Sequence, residues 1–263
     1  QLMTLEFFSA TDVGRQRDNN EDSVAVDEEA CFGDLRDRLA GPARRAVDSQ
    51  MLTGFVCAEL GRWLREPGKQ AKAGDVKRAM DICVDNANRA IFNAANSNPA
   101  YAGMGTTLVL AVFRDTHLLL GHVGDSRAYR LRAGRLAQIT RDHSLLQEQI
   151  DAGLITPEQA AFSANKNLVT RAVGVEDTVL LETRVHEVQP GDLYLLCSDG
   201  LSDMLDDAVL AQLLQMHGAL APTAALLVDA ANDAGGKDNI SLVLARAEGS
   251  PAAGQRSWWP FRR

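Results

Sequence analysis

The sequence predicts one α+β domain, a sandwich of antiparallel strands with helices packed against it, and three observations carry that expectation. The first third of the chain holds segments with apolar residues at helical spacing. The middle switches to β-rich runs separated by short turns, and the last third mixes both patterns. Four carboxylate-bearing stretches lie far apart: Asn20-Glu21-Asp22, Gly124-Asp125-Ser126-Arg127, Ser198-Asp199-Gly200 and Lys237-Asp238-Asn239. Three of them border apolar, strand-like runs, so a sandwich would gather them at one end. Two bare carboxylates ~4 Å apart repel by about 4 kcal/mol at an effective dielectric near 20. Hard divalent cations such as Mg²⁺ and Mn²⁺ prefer oxygen ligands and would cancel that repulsion.

Taken in order, Leu52, Phe55, Val56, Leu60, Trp63 and Leu64 recur at helical spacing between Gln50 and Arg65, and Pro67-Gly68 ends the run. A second helix is expected from about Asp75 to Asn96, with Val76, Met80, Cys83, Ala87, Ala90 and Ala94 on one face. The period then changes. Thr106 to Phe113, His117 to Val123, Arg127 to Leu131 and Leu136 to Thr140 read as one antiparallel meander whose turns carry Asp125 and Gly134.

From Ser144 to Asn165 the pattern is weakly helical, and Thr156-Pro157-Glu158 places a cap residue before a proline at the first helical position. This stretch reads as a surface subdomain over the sheet end. Leu180 to Val188 and Asp192 to Cys197 return to strand, helices are expected from about Asp207 to Met216 and from Pro222 to Asp233, and Ile240 to Leu244 is a last strand. Ala247 to Arg263 reads as a polar linker ending in Trp258-Trp259-Pro260-Phe261-Arg262-Arg263. The domain is therefore set at residues 1–247, with a flap-like subdomain at 144–166 and a flexible tail at 248–263.

With 46% hydrophobic residues among 263, the chain can bury a full core. Lys plus Arg number 27 against 35 acids, a net charge of −8 that leaves no basic footprint for nucleic acid. Cys31, Cys57, Cys83 and Cys197 form no C-x-x-C pair and read as free thiols of a reducing compartment. No apolar run approaches the ~18 residues of a membrane span, and the N-terminus carries no basic-then-apolar signal. A cytoplasmic monomer is expected, with an aromatic and basic tail suited to an interface or a docking groove.

The motifs together resemble the PPM family of metal-dependent protein serine/threonine phosphatases, the protein phosphatase 2C type in its compact bacterial form. The likeness runs from about Asp12 to Ala247 and rests on pieces in family order. These are Asp12-Val13-Gly14, Arg17-Asp18-Asn19-Asn20-Glu21-Asp22-Ser23, Met104-Gly105-Thr106-Thr107, Val123-Gly124-Asp125-Ser126-Arg127 and Thr140-Arg141-Asp142-His143-Ser144. Thr170-Arg171-Ala172-Val173-Gly174, Gly191-Asp192, Leu195-Leu196-Cys197-Ser198-Asp199-Gly200-Leu201 and Gly236-Lys237-Asp238-Asn239-Ile240-Ser241 follow. The resemblance implies a four-layer αββα sandwich, two antiparallel sheets flanked by helices, with two Mn²⁺ or Mg²⁺ ions and a third at one end. It implies that Asp199 and Asp238 bind the first metal, Glu21 and Asp22 the second and Asp125 the third, while Arg17 grips the substrate phosphate. It also implies phosphorylated Ser/Thr proteins as substrates and a Ser/Thr kinase as the opposing partner. His143 reads as a capping or packing residue and His122 as a satisfied sheet histidine.

In one place the chain departs from the family pattern. Members carry Asp-Gly-x-Gly-Gly soon after the Asn-Glu-Asp motif, and its aspartate bridges both metals. Here the block is Cys31-Phe32-Gly33-Asp34-Leu35-Arg36-Asp37-Arg38-Leu39-Ala40-Gly41-Pro42. An ungapped alignment puts Asp37 on the bridging position. Two accounts fit: a compensated pair of frame shifts in a G+C-rich coding sequence, or a divergence leaving an impaired phosphatase or a pseudophosphatase that binds phosphoprotein or kinase.

Overall fold

The computed structural model describes residues 4–26, 56, 59–64, 73–114, 116–160, 162–163, 168–216 and 218–249. Its strands are β1 (Thr4–Asp12), β2 (Leu108–Arg114), β3 (His117–Val123), β4 (Arg127–Arg132), β5 (Arg135–Gln138), β6 (Glu182–Glu187), β7 (Leu193–Cys197) and β8 (Ile240–Glu248). The helices are α1 (residues 59–64, with residue 56 also helical), α2 (Ala73–Ser97), α3 (Leu145–Asp151), α4 (Pro157–Ala160), α5 (Asp199–Ser202), α6 (Asp207–Met216) and α7 (Leu220–Asp233). The strands form two antiparallel sheets, ordered β1-β8-β7-β4-β5 and β2-β3-β6.

Three buried clusters define the layers. Leu118 and Leu120 of β3 and Phe113 of β2 pack with Ala128, Tyr194 and Ala245 of the larger sheet, so the sheets lie face to face. Phe113 meets Phe7 and Tyr194 edge-on at centroid distances of 6.0 and 5.3 Å, pairs worth about 0.5–1.5 kcal/mol each beyond their buried area. On the outer side of the smaller sheet, Leu110, Val112 and Leu119 pack against Leu60, Val76, Met80, Val84 and Ile91 of α1 and α2. On the outer side of the larger sheet, Tyr129, Leu195, Leu242 and Leu244 pack against Leu201, Leu210, Leu214 and Leu227 of α5 to α7. The result is the expected αββα sandwich. Cys83 and Cys197 are buried free thiols, while Cys31 and Cys57 lie outside the described residues.

The expected single meander is corrected: β2 and β3 pair in one sheet, β4 and β5 in the other. The chain crosses between sheets at Gly124, whose φ of +105° sends the backbone where a side chain would collide with Thr107. The linker expected from Ala247 is corrected too. β8 runs to Glu248 because β1, absent from the sequence reading, pairs with it from Thr4↔Glu248 to Asp12↔Ile240. Ala247 is therefore core, only 1% exposed; residues 250–263, with the Trp-Trp-Pro-Phe segment, lie outside the described residues.

α3 starts at Ser144, whose Oγ accepts from the amide of Gln147 at 3.2 Å. α4 starts with a reciprocal cap. Thr156 Oγ1 accepts from the amide of Gln159, and Gln159 Oε1 accepts from the amide of Thr156, at 3.2 and 2.8 Å.

Candidate metal centre

Register alone delivers the carboxylates to one edge. β7 and β8 are antiparallel neighbours with Cys197 opposite Leu242, so Ser198-Asp199 leaves the sheet beside Asp238-Asn239 as the chain enters it. Arg127 pairs with Cys197, which places Asp125 just past the same edge. β1 ends opposite Ile240, so residues 13–22 begin there. Arg17, Glu21, Asp22, Asp125, Asp199 and Asp238 all line one cleft. Asp37 lies outside the described residues.

Asn239 fastens this edge. Its Oδ1 accepts from the amide of Glu21 at 2.7 Å, and its Nδ2 donates to the carbonyls of Val13 at 2.9 Å and Asn19 at 2.8 Å. The side chain is buried and so fixes the segment that presents Glu21 and Asp22. Ser198 Oγ donates to Asp22 Oδ2 at 2.8 Å and accepts from the amide of Ser241 at 3.0 Å. Gly200 faces the carbonyl of Asn239 so closely that any side chain would collide with it, which lets α5 seat Asp199 beside Asp238.

The electrostatics call for cations. Burial pushes the Asp199 carboxyl up to about 7, and Asp125, Asp203, Asp238 and Asp22 push the same way. Burial also lifts Asp125 to about 6, helped by Asp142 and Asp203. Asp22 is raised by burial despite hydrogen bonds from Ser241 and Ser198, with Asp238 and Glu21 adding to the rise. Arg17 answers part of this charge: its Nη2 lies 2.5 Å from Asp238 Oδ2, and that bond holds the guanidinium above its ordinary pKa. One exposed arginine cannot neutralise the cluster, and an oxygen-only donor set of this sign suits Mg²⁺ or Mn²⁺.

Asp203 escaped the sequence reading. It follows Asp199 by four residues, and its amide donates to the Asp199 carbonyl at 2.8 Å, closing one helical turn. The i, i+4 spacing was visible, but a helix as short as α5 leaves no periodic signal. His122 is the satisfied sheet histidine expected, its Nε2 2.7 Å from the carbonyl of Arg141. Of the remaining motifs, Gly191-Asp192 sits at the far end of β7, where Asp192 receives Arg132 Nε and Nη2, both at 2.7 Å, and Tyr194 Oη at 2.9 Å. That motif fastens the fold and carries no chemistry.

Residues 40–240 match the Protein phosphatase 2C family profile. The chain is 38% identical over 246 residues to the serine/threonine protein phosphatase PstP of Mycobacterium tuberculosis, covering 92% of this chain and 45% of that protein. It thus spans about half the length of that relative. It is 34% identical over 237 residues to the serine/threonine phosphatase stp of Listeria innocua, covering 89% of this chain and 92% of the relative. Among solved structures, that of Mycobacterium tuberculosis PstP/Ppp superposes with a TM-score of 0.80 at 36% identity, covering 94% of this chain and 100% of the other. The PstP catalytic domain in complex with two manganese ions gives 0.78 at 35% identity, with coverage of 94% and 100%.

Proposed function

The chain belongs to the protein phosphatase 2C family, and from that premise we propose that it hydrolyses phosphoserine and phosphothreonine in proteins with Mn²⁺ or Mg²⁺. One observation carries the reading: carboxylates from four separate segments meet in a single cleft beside an arginine. Asp199 and Asp238 would hold the first cation, Glu21 and Asp22 the second, and Asp125 a third, with Asp203 close to it. Such ions, when bound, supply a water that loses its proton near neutral pH and stabilise charge on the phosphoryl oxygens.

The chain's own side chains do the positioning. Arg17 offers a planar fork able to hold two phosphoryl oxygens, and its exposed location lets substrate reach it. Ser198 orients Asp22, and Asn239 fixes the loop that carries Arg17 and Glu21. Asp37 remains the candidate bridging ligand by alignment. Neither the cleft nor the relatives favour the alternative of a silent phosphoprotein-binding module. A Ser/Thr kinase and its substrates are the partners this reading supplies, acting in the cytoplasm with the phosphatase as a monomer. No described helix is long and apolar enough to cross a membrane.

The test is phosphate release from phosphoserine and phosphothreonine peptides by protein stripped with EDTA, before and after Mn²⁺ is added. Release is expected only with the metal. Binding of the peptides without release at any Mn²⁺ concentration would sink the proposal in favour of the binding module.

A further inference from the structure

Outside the carboxylate cleft, His122, His143 and Glu182 bring ligand-type atoms within 4.8 Å of one another. Their hydrogen bonds argue against a metal there. The amide of Gly124 donates to His143 Nδ1 at 3.1 Å, and an amide can only donate, so Nδ1 holds a lone pair. A neutral ring then carries its proton on Nε2, which lies 3.2 Å from Glu182 Oε2 and donates to it. A cation at Nε2 would require removal of that proton while Nδ1 still accepted the amide, which leaves an imidazolate. The cluster is a hydrogen-bond relay.

The relay ends at Gly124, the residue before Asp125. His143 holds Gly124 twice: the ring accepts from its amide, and the His143 amide donates to its carbonyl at 2.9 Å. Both residues are buried, and Gly124 lies between β3 and β4, where the chain changes sheets. The ring is fixed in turn by stacking on His122 at 4.7 Å and 16°, and by Glu182, whose other oxygen receives Arg184 Nε and Nη2 at 3.1 and 2.9 Å. The His143 carbonyl accepts from the amide of Thr170 at 2.8 Å, just past the 144–166 segment.

We propose that His143 is a positioning residue for the hydrolytic centre: locked as the Nε2–H tautomer by Glu182, it fixes the left-handed Gly124 turn and thereby aims Asp125 into the cation site. The proposal rests on the phosphatase reading for its consequence but not for its geometry. Two polar replacements separate its parts. Asn places Oδ1 where Nδ1 stands and can accept the Gly124 amide, whereas Gln presents its amide at the position of Nε2, near Glu182, with nothing to accept from Gly124.

The experiment has two readouts on the full chain. Nitrogen NMR of ¹⁵N-histidine-labelled protein should show His143 unprotonated at Nδ1 and protonated at Nε2; the opposite tautomer overturns the proposal. Manganese titrations of p-nitrophenyl phosphate hydrolysis should give His143→Asn a half-saturating concentration close to the parent's. His143→Gln should raise it about tenfold or more. A parent-like titration for His143→Gln, or equal impairment of both variants, overturns the proposal. Should His143→Gln fail to fold, the tautomer and the His143→Asn titration still decide, a displaced titration counting against it. A parent protein that hydrolyses nothing with any metal would defeat the phosphatase reading and leave the tautomer result standing.

Discussion

Asp199 and Asp125 are acids held above their ordinary range first by burial and then by neighbouring carboxylates, at about 7 and about 6. A folded-state pKa raised above the unfolded value contributes stability that is full below the unfolded pKa, near 4, and is lost as pH rises through the folded value. Without divalent cations the melting temperature should therefore fall between pH 4 and pH 7 on account of these groups. Saturating Mn²⁺ should reverse the slope, because a cation prefers the ionised carboxylates, and ligand at 100 times its Kd stabilises by about 2.7 kcal/mol. Thermal melts in EDTA and in Mn²⁺ across that range check this, and parallel curves would contradict it. A single aspartate at a strand end is ordinary turn chemistry; these residues were legible because several such motifs follow one another in family order. Asn239 stands in a motif without an evident role in sequence, since its work is done by contacts with residues 13–21 that only the fold brings near.

At the scale of elements, the Arg132–Asp192 pair ties β4 to β7 at the end away from the cleft. Burial alone would raise Asp192, but hydrogen bonds from Arg132, the Gln189 amide and Tyr194 outweigh it and leave the carboxyl below its usual value. Its contribution is present above the ordinary carboxylate pKa and fades as pH falls through the lower folded one. Asp192→Asn should cost about 1.5–3 kcal/mol at pH 7, and urea unfolding should find a smaller cost below about pH 4. An equal cost at both pH values would show that packing, not charge, is what the residue supplies. α6 was read from sequence with the bounds observed because its apolar period is regular. β1 was missed for an opposite reason. Its side chains alternate only between exposed and half-buried, the large apolar Phe8 falls on the exposed side, and its partner β8 lies at the other end of the chain. The meander was misjudged because hairpin spacing does not say which sheet a strand joins, and only the backbone at Gly124 does.

For the whole molecule, sandwich geometry converts sequence distance into proximity. Antiparallel register at β1, β7 and β8, with the sheet-to-sheet crossing at Gly124, sends four remote segments to one edge and leaves the fastening pair Arg132–Asp192 at the other. The αββα layering was readable from pattern and family likeness together, since helical and strand periods separate cleanly along most of the chain. The measurement closest to the central claim is turnover of a phosphothreonine peptide by Asp199→Ala and Asp238→Ala, read beside calorimetric Mn²⁺ binding and circular dichroism. Each variant should keep the parent's fold, bind Mn²⁺ more weakly and turn over at least ~100-fold more slowly, because on the proposed reading each would lose an anionic ligand of the cation that activates the attacking water. Near-parental turnover in either variant would contradict the account.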